Sequence, residues 1–307
     1  MTIGRFAPSP TGSLHLGNLR TALIAWCCAR IGGGQFLVRM EDLTTGAAPV
    51  AEAEQLDDLR VLGIDHDAPV TRQSDRAVHH HDVLAQLEKM GVTYPCFCSR
   101  REIREATVAP HGPDPTGVYP GTCAELTEAQ RRDRLSAVGR AATRIRAHSA
   151  VVTFNDRLNG TTSATVDDFV LSRADGVVAY NLAVVVDDAA AGVDQVVRGD
   201  DLLETTHRQV YLQTLLGLRT PEYVHVPLVL GPDGARLSKR HGAVGLRDQL
   251  DRGADPEQVL ALLANSVDPL RWGHVGRTTT ADVLGNFDLE SLPRTPWVFD
   301  PGQLTWC

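Results

Sequence analysis

Short apolar runs alternate with stretches of helical period through the first part of this 307-residue chain. Residues 2–6 make a compact run that suits a short buried strand, and Pro8, Pro10 and Gly12 impose a loop after it. Leu19, Leu23 and Trp26 then fall on one face of a helix over 19–29. Gln35–Met40 reads as a buried strand ending in Glu41-Asp42. Residues 51–62 carry Leu56, Leu59 and Leu62 at helical spacing and close at Gly63. A further helix over 77–90 turns Val83, Leu84, Leu87 and Met90 inward, with Gly91 just past its end. Strands alternating with helices predict an α/β fold with a parallel, doubly wound sheet.

The pattern changes at Cys96. Residues 107–121 are rich in Pro and Gly, and short β patterns follow at Ala142–Ile145 and 151–155, as in an insertion into the α/β domain. The α/β pattern resumes with an apolar run over 177–186, which reads as a strand closed by an acidic turn at Asp187-Asp188. A strand over 193–197, a Gly199-Asp200-Asp201 turn, a helix over 203–216 and a strand over 223–229 follow. Beyond Gly242 lies a short, mostly helical tail anchored by Val259, Leu260, Leu262 and Leu263. The expected division is therefore 1–95 and 165–245 as two halves of one Rossmann-like catalytic domain, 96–164 as the insertion and 246–307 as the tail.

Composition changes this picture little. Hydrophobic residues at 43% and charged residues at 22% are ordinary for a globular protein. Pro8 and Pro10 interrupt any signal-peptide core, and the apolar run at 182–186 stops far short of a membrane span, so a cytoplasmic protein without membrane contact is expected. Six cysteines, two of them as Cys96-x-Cys98, suit a reducing compartment with a metal site better than a disulfide framework. The formal charge of −8 would argue against nucleic acid if it were spread evenly. Arg131, Arg132, Arg134, Arg140, Arg144 and Arg146 instead crowd one segment, which is either a solvated face or a local phosphate-tracking surface.

Two short motifs carry the chemistry. His15-Leu16-Gly17-Asn18 opens the first helix after the Pro/Gly turn, where free backbone N–H groups form a natural anion site and Gly17 lets a ligand approach the backbone. Arg236-Leu237-Ser238-Lys239-Arg240 offers Lys239 as a mobile point charge on a loop able to close. Either motif alone is common. In this order, and with the longer run Arg5-Phe6-Ala7-Pro8-Ser9-Pro10-Thr11-Gly12 before the first, they resemble the two ATP-handling signatures of class I aminoacyl-tRNA synthetases, in the form found in glutamyl-tRNA synthetases.

The resemblance covers nearly the whole chain. Glutamyl-tRNA synthetases continue after the second signature with an anticodon-binding region for which this chain has no room, and the match is to their truncated paralogues, the glutamyl-queuosine tRNA(Asp) synthetases. That family implies activation of L-glutamate by ATP, with Mg²⁺, and transfer of glutamate to the queuosine base of tRNA(Asp), by a monomer without an anticodon domain. An ordinary glutamyl-tRNA synthetase core charging tRNA(Glu), and a non-catalytic paralogue binding tRNA or an amino acid, are the alternatives.

Carried over residue by residue, the resemblance gives His15, Gly17, Asn18, Ser238 and Lys239 to ATP, with His15 and Lys239 catalytic. It places Arg5, Ala7, Ser9, Glu41, Tyr180 and Arg198 around glutamate. An arginine can bind a carboxylate through paired N–H donors, and Glu41 would face the substrate ammonium. On the residues alone, a surface salt bridge for Arg198 and a half-buried phenol for Tyr180 are the plainer readings. Cys96, Cys98, Tyr119 and Cys123 resemble the structural zinc site of the paralogues, against the alternative of three packed thiols. His79-His80-His81 and Cys27-Cys28 point in different directions along a helix and cannot chelate. Leu43-Thr44-Thr45-Gly46-Ala47-Ala48-Pro49 departs from the acidic, Pro- and Arg-bearing turn usual after the Glu-Asp pair.

Overall fold

The computed structural model describes residues 1–44, 46–99, 101–103, 119–274, 276–304 and 306. Most of the Pro/Gly-rich stretch over 107–121 lies outside the described residues, as does Thr45 of the departing turn. Strands β1 (Ile3–Phe6), β2 (Gln35–Met40) and β3 (Thr71–Arg72) pair in parallel, with helices α1 (Leu16–Arg30) and α2 (Pro49–Val61) between them. Helix α3 (Ala77–Lys89) leads to β4 (Thr93–Cys96), α4 (Glu128–Val138) and β5 (Ala142–Ile145). The hairpin β6 (Val151–Asp156) and β7 (Gly160–Thr165), then β8 (Val170–Ser172), complete the middle of the chain. After α5 (Tyr180–Ala190) come β9 (Gln195–Gly199), α6 (Leu203–Leu215) and β10 (Glu222–Val226).

These strands form a main sheet in the order β3-β2-β1-β9-β10-β6-β7, parallel except for the β6–β7 hairpin. The hairpin, which the sequence pattern assigns to the insertion, thus extends the edge of the main sheet. A second, antiparallel sheet β4-β5-β8 carries the cysteine segment. The crossing from β1 to β9 leaves the carboxyl ends of β1, β2 and β9 around one crevice, the usual ligand position of an open α/β sheet.

One expectation is corrected. The apolar run near 177–186 is not a strand: residues 180–190 form α5, and Asp187-Asp188 belong to that helix, not to a turn. Val184, Val185 and Val186 favour a strand by local preference, but the helix buries Asp188 against Arg5 and Arg39 of the sheet and Asp187 against Arg76 just before α3, and that long-range pairing prevails.

Helix α1 is apolar on nearly all sides because it is sandwiched. Gly4 lets β1 approach it: a Cβ there would lie 2.9 Å from Ala29 Cβ. On its other flank packs α8 (Pro256–Val267), which follows the short α7 (Leu246–Asp251), so the C-terminal tail anchors through Val259, Leu260 and Leu263 as its spacing implies. Arg20, 1% exposed, crosses this seam, its Nη1 donating to Pro227 O at 2.8 Å and its Nε to Ser266 Oγ at 3.0 Å. The tail is thereby tied to the helix that begins at the His15-Leu16-Gly17-Asn18 motif.

Candidate active site

His15 is the N-cap of α1. Its Nδ1 accepts the Asn18 N–H at 3.2 Å, and Asn18 Oδ1 accepts the His15 N–H at 3.2 Å, a reciprocal box that satisfies helix-end donors. Burial, and then the charge of Arg236, push the imidazole down to about 4, so the ring is neutral near pH 7. With Nδ1 accepting, the ring proton sits on Nε2, leaving a neutral donor for a ligand oxygen. Gly17 serves this placement first: a Cβ there would lie 2.9 Å from His15 Nδ1 and 3.2 Å from Val229 Cβ.

The second motif hangs from β11 (Val229–Leu230) as a hairpin, with Leu237 N–H donating to Val229 O at 2.9 Å. Ser238 leads into a single turn at Lys239–His241, and Arg236 pairs with Asp201. The chain then returns to the first motif, where Leu16 N–H donates to Val244 O at 2.7 Å. Lys239 Nζ stands over the Pro/Gly loop, 2.9 Å from where a Cβ of Gly12 would be. Gln55 on α2, 2% exposed, pins that loop from below, donating to Gly12 O at 2.6 Å and Ser9 O at 3.1 Å.

Between the motifs opens a cleft of about 570 Å³, lined among others by Ala7, Ser9, His15, Asn18, Glu41, Tyr180, Arg236 and Lys239. Arg5, Gly17, Arg198 and Ser238 do not line it directly. Arg5 is buried with Asp188 at 3.3 Å from its Nε, and its Nη1 lies 3.4 Å from Val197 O. These are long contacts for charged partners. Arg39 stands beside it, 2.5 Å from Asp188 and 3.2 Å from Glu41. Burial pushes the Glu41 carboxyl upward, and Arg39 and Arg5 only partly oppose this, so a ligand ammonium would stabilise its ionised form. Asp187, one residue before Asp188, accepts from Arg76 Nε at 2.6 Å and Gln73 Nε2 at 3.2 Å, with His80 Nε2 2.9 Å away. The paired aspartates are thus occupied as ion-pair anchors.

Arg198 differs from these. Its Nη1 lies 3.4 Å from Tyr180 Oη at the cleft wall, and its Nη2 donates to Thr206 Oγ1 at 2.6 Å and Gln209 Oε1 at 2.8 Å. The residue is 6% exposed, and among the described residues no carboxylate pairs with it directly. A buried guanidinium with neutral neighbours is a costly arrangement that an anionic ligand would relieve.

The cysteines converge in the second sheet. Sγ of Cys96, Cys98 and Cys123 all lie within 4.8 Å of one another, with Cys98 and Cys123 3.5 Å apart. Tyr119 Oη lies 3.4 Å from Cys96 Sγ and 3.7 Å from Cys98 Sγ. Tetrahedral zinc at ordinary bond lengths requires S···S of about 3.8 Å and S···O of about 3.5 Å, so this donor set fits such an ion. Burial pushes the Cys98 thiol up to about 12. At Cys123 burial is outweighed by hydrogen bonds from the Phe97 N–H, Tyr119 and Cys98, which hold its thiol below the ordinary range.

Comparison with known proteins places these features. The family of class I tRNA synthetases (E and Q), catalytic domain, matches residues 2–306. The glutamyl-Q tRNA(Asp) synthetase of Nocardia farcinica is 54% identical over 98% of this chain and 94% of that protein. This chain belongs to the glutamyl-Q tRNA(Asp) synthetase family of class I synthetases. The Cutibacterium acnes protein of the same name is 52% identical over 86% of this chain and 75% of its own. Among solved structures, a glutamate tRNA ligase from Elizabethkingia meningosepticum, in complex with its amino acid, superposes with a TM-score of 0.82. It is 26% identical, and the match covers 97% of this chain and 67% of that one. The synthetase is therefore a ligase with a mainly parallel α/β catalytic domain, and none of its described helices is long and apolar enough to cross a membrane.

Several residues that shape the cleft escape a reading by motif: Arg39, Gln55, Asp188, His225 and Asp156. The available signal was chemical. Arg39 and His225 are charged or polar residues inside apolar strand runs, and Asp187-Asp188 end an apolar run, positions that demand buried partners.

Proposed function

We propose that this synthetase activates L-glutamate with ATP and transfers glutamate to the queuosine base in the anticodon of tRNA(Asp). The observation that carries the reading is the near full-length match to the glutamyl-Q tRNA(Asp) synthetases, and the cleft supplies chemistry that suits it. Attack of the glutamate carboxylate on the α-phosphorus of ATP needs donors aimed at the phosphates and little else from the protein. The neutral Nε2–H of His15, Gly17 and Asn18 at the start of α1, and Ser238 and Lys239 of the returning loop provide them. Lys239 meets the leaving pyrophosphate, with Mg²⁺ carried by the nucleotide.

Glutamate lies against Ala7 and Ser9 with its ammonium toward Glu41, between Arg5 and the Tyr180–Arg198 pair. Arg198, lacking an anion of its own, takes a carboxylate. Cys96, Cys98, Tyr119 and Cys123 hold a structural zinc ion that closes the β4-β5-β8 region. The enzyme works as a monomer in the cytoplasm, where its tRNA is.

Labelled glutamate offered with queuosine-containing tRNA(Asp), the same tRNA lacking queuosine, and tRNA(Glu) tests the acceptor. Transfer to the first alone is expected, and it should persist on the isolated anticodon stem-loop. Charging of tRNA(Glu) at its terminal ribose, with none on the stem-loop, would overturn the reading.

A further inference from the structure

Three neighbouring strands of the main sheet bring three polar side chains together behind the cleft. Arg198 on β9 is the register partner of His225 on β10, and Asp156 ends β6 on the next strand. His225 is 0% exposed and Asp156 1%. His225 Nδ1 lies 2.7 Å from Asp156 Oδ2, and Arg198 Nε donates to His225 Nε2 at 3.1 Å. Asp156 is fully engaged on its other oxygen, where Oδ1 accepts from Leu158 N–H, Asn159 N–H and Asn159 Nδ2 at 2.8–3.1 Å.

These contacts settle the ring's protonation pattern. A carboxylate at Nδ1 requires a proton there, and Nε2 must then be the acceptor that the guanidinium N–H needs. The Thr206 hydroxyl, 3.0 Å from Nε2, gives its own proton to Leu202 O at 2.8 Å, which leaves the Nε2 lone pair to the Arg198 N–H. With Nε given to His225 and Nη2 given to Thr206 and Gln209, Nη1 of Arg198 is the nitrogen left toward Tyr180, which lines the cleft. We propose that Asp156 and His225 are positioning residues for the amino-acid site: they fix the guanidinium of Arg198 so that one nitrogen, Nη1, is presented to the substrate carboxylate. The aspartate also supplies, one residue removed, the negative charge that Arg198 otherwise lacks. This inference rests on the assignment of Arg198 to glutamate.

Glutamate-dependent ATP–pyrophosphate exchange tests it. Asp156→Asn keeps the shape but turns an amide N–H toward Nδ1, which drives the ring proton to Nε2, against the Arg198 N–H. His225→Phe removes the acceptor, and His225→Gln keeps one within reach. The first two should raise the KM for glutamate roughly 10–100-fold, the scale of a lost hydrogen bond to a charged group, with the KM for ATP unchanged. His225→Gln should recover most of the loss. In an Arg198→Ala background Asp156→Asn should add little, because both act through the same nitrogen.

Histidine ¹⁵N spectra of the unmodified enzyme, with the His225 signal identified by its loss in His225→Gln, should show the Nδ1–H form. An Nε2–H or charged ring would overturn the proposal without any variant having to fold as intended. So would unchanged glutamate KM in Asp156→Asn and His225→Phe while Arg198→Ala raises it. If Arg198→Ala itself left the KM unchanged, the glutamate assignment would fall first and this inference with it.

Discussion

Nδ1 of His15 is committed to the end of α1, so only Nε2 is left for a ligand, and the ring must stay neutral to do both. A pH dependence follows. The ordinary imidazole value of 6.5 holds in the unfolded chain, whereas the folded ring titrates at about 4. Protons therefore favour the unfolded state in this window, and the contribution is fully present above pH 6.5 and lost as pH falls toward 4. Asn in place of His15 also caps a helix and does not titrate, so His15→Asn should cost little at pH 7, on the order of 1 kcal/mol or less. Thermal unfolding at pH 7, 5.5 and 4.5 should show the native enzyme losing more stability than the variant as the pH drops. Parallel curves would mean that the ring is not held neutral by the fold.

At the level of elements, the strands and helices that carry the two motifs were legible in the sequence because turn residues and apolar period agree there. Pro8, Pro10 and Gly12 mark the loop, Leu19 and Leu23 the helix, and Glu41 the end of β2. Helix α5 was not legible. A run such as Leu182 to Val186 fits a strand or a buried helix equally well by pattern, and the partners that decide it, Arg5, Arg39, Arg76 and His80, lie more than a hundred residues away in sequence. The row Arg198, His225, Asp156 depends likewise on strand order, which no local pattern contains. The cysteine region stands between these cases: spacing announces the donors, and only the fold of β4, β5 and the segment at Tyr119–Cys123 brings them together. Cys98→Ala should release about one zinc ion per chain, as a closed tetrahedral site predicts. Hydrogen exchange should then quicken in β4, β5 and β8 while β1, β9 and β10 keep their protection. Purified native enzyme without zinc, and with every thiol freely titratable, would remove the metal from the account.

The whole molecule carries a charge of −8, yet its substrate of choice is a polyanion, so the approach of tRNA has to be local. The arginine-rich segment divides in the structure. Arg144, expected from its sequence neighbourhood to meet phosphate, is instead buried, with its guanidinium 3.7 Å from the centre of the Tyr119 ring and its Nη1 2.6 Å from Asp168 O. Arg146 lies over Tyr94 and bonds Ala124 O at 2.8 Å. Both brace the cysteine region from within. Arg132 and Arg134 on α4, and Arg140 just beyond it, are exposed, and the one surface ion pair they make among the described residues, Arg132 with Glu128 at 4.0 Å, is too long and too wet to hold Arg132 back. α4 buries none of its residues, so its basic side is available to a backbone of phosphates. Replacing Arg132, Arg134 and Arg140 together by Ala should weaken tRNA binding and flatten its dependence on salt. For every phosphate that is no longer neutralised, the slope of log K against log salt should fall by about 0.7–0.9, while glutamate binding stays as it was. Filter binding of queuosine-containing tRNA(Asp) across a salt series reads the slope directly. A slope unchanged by the triple replacement would place the tRNA on another face of the synthetase.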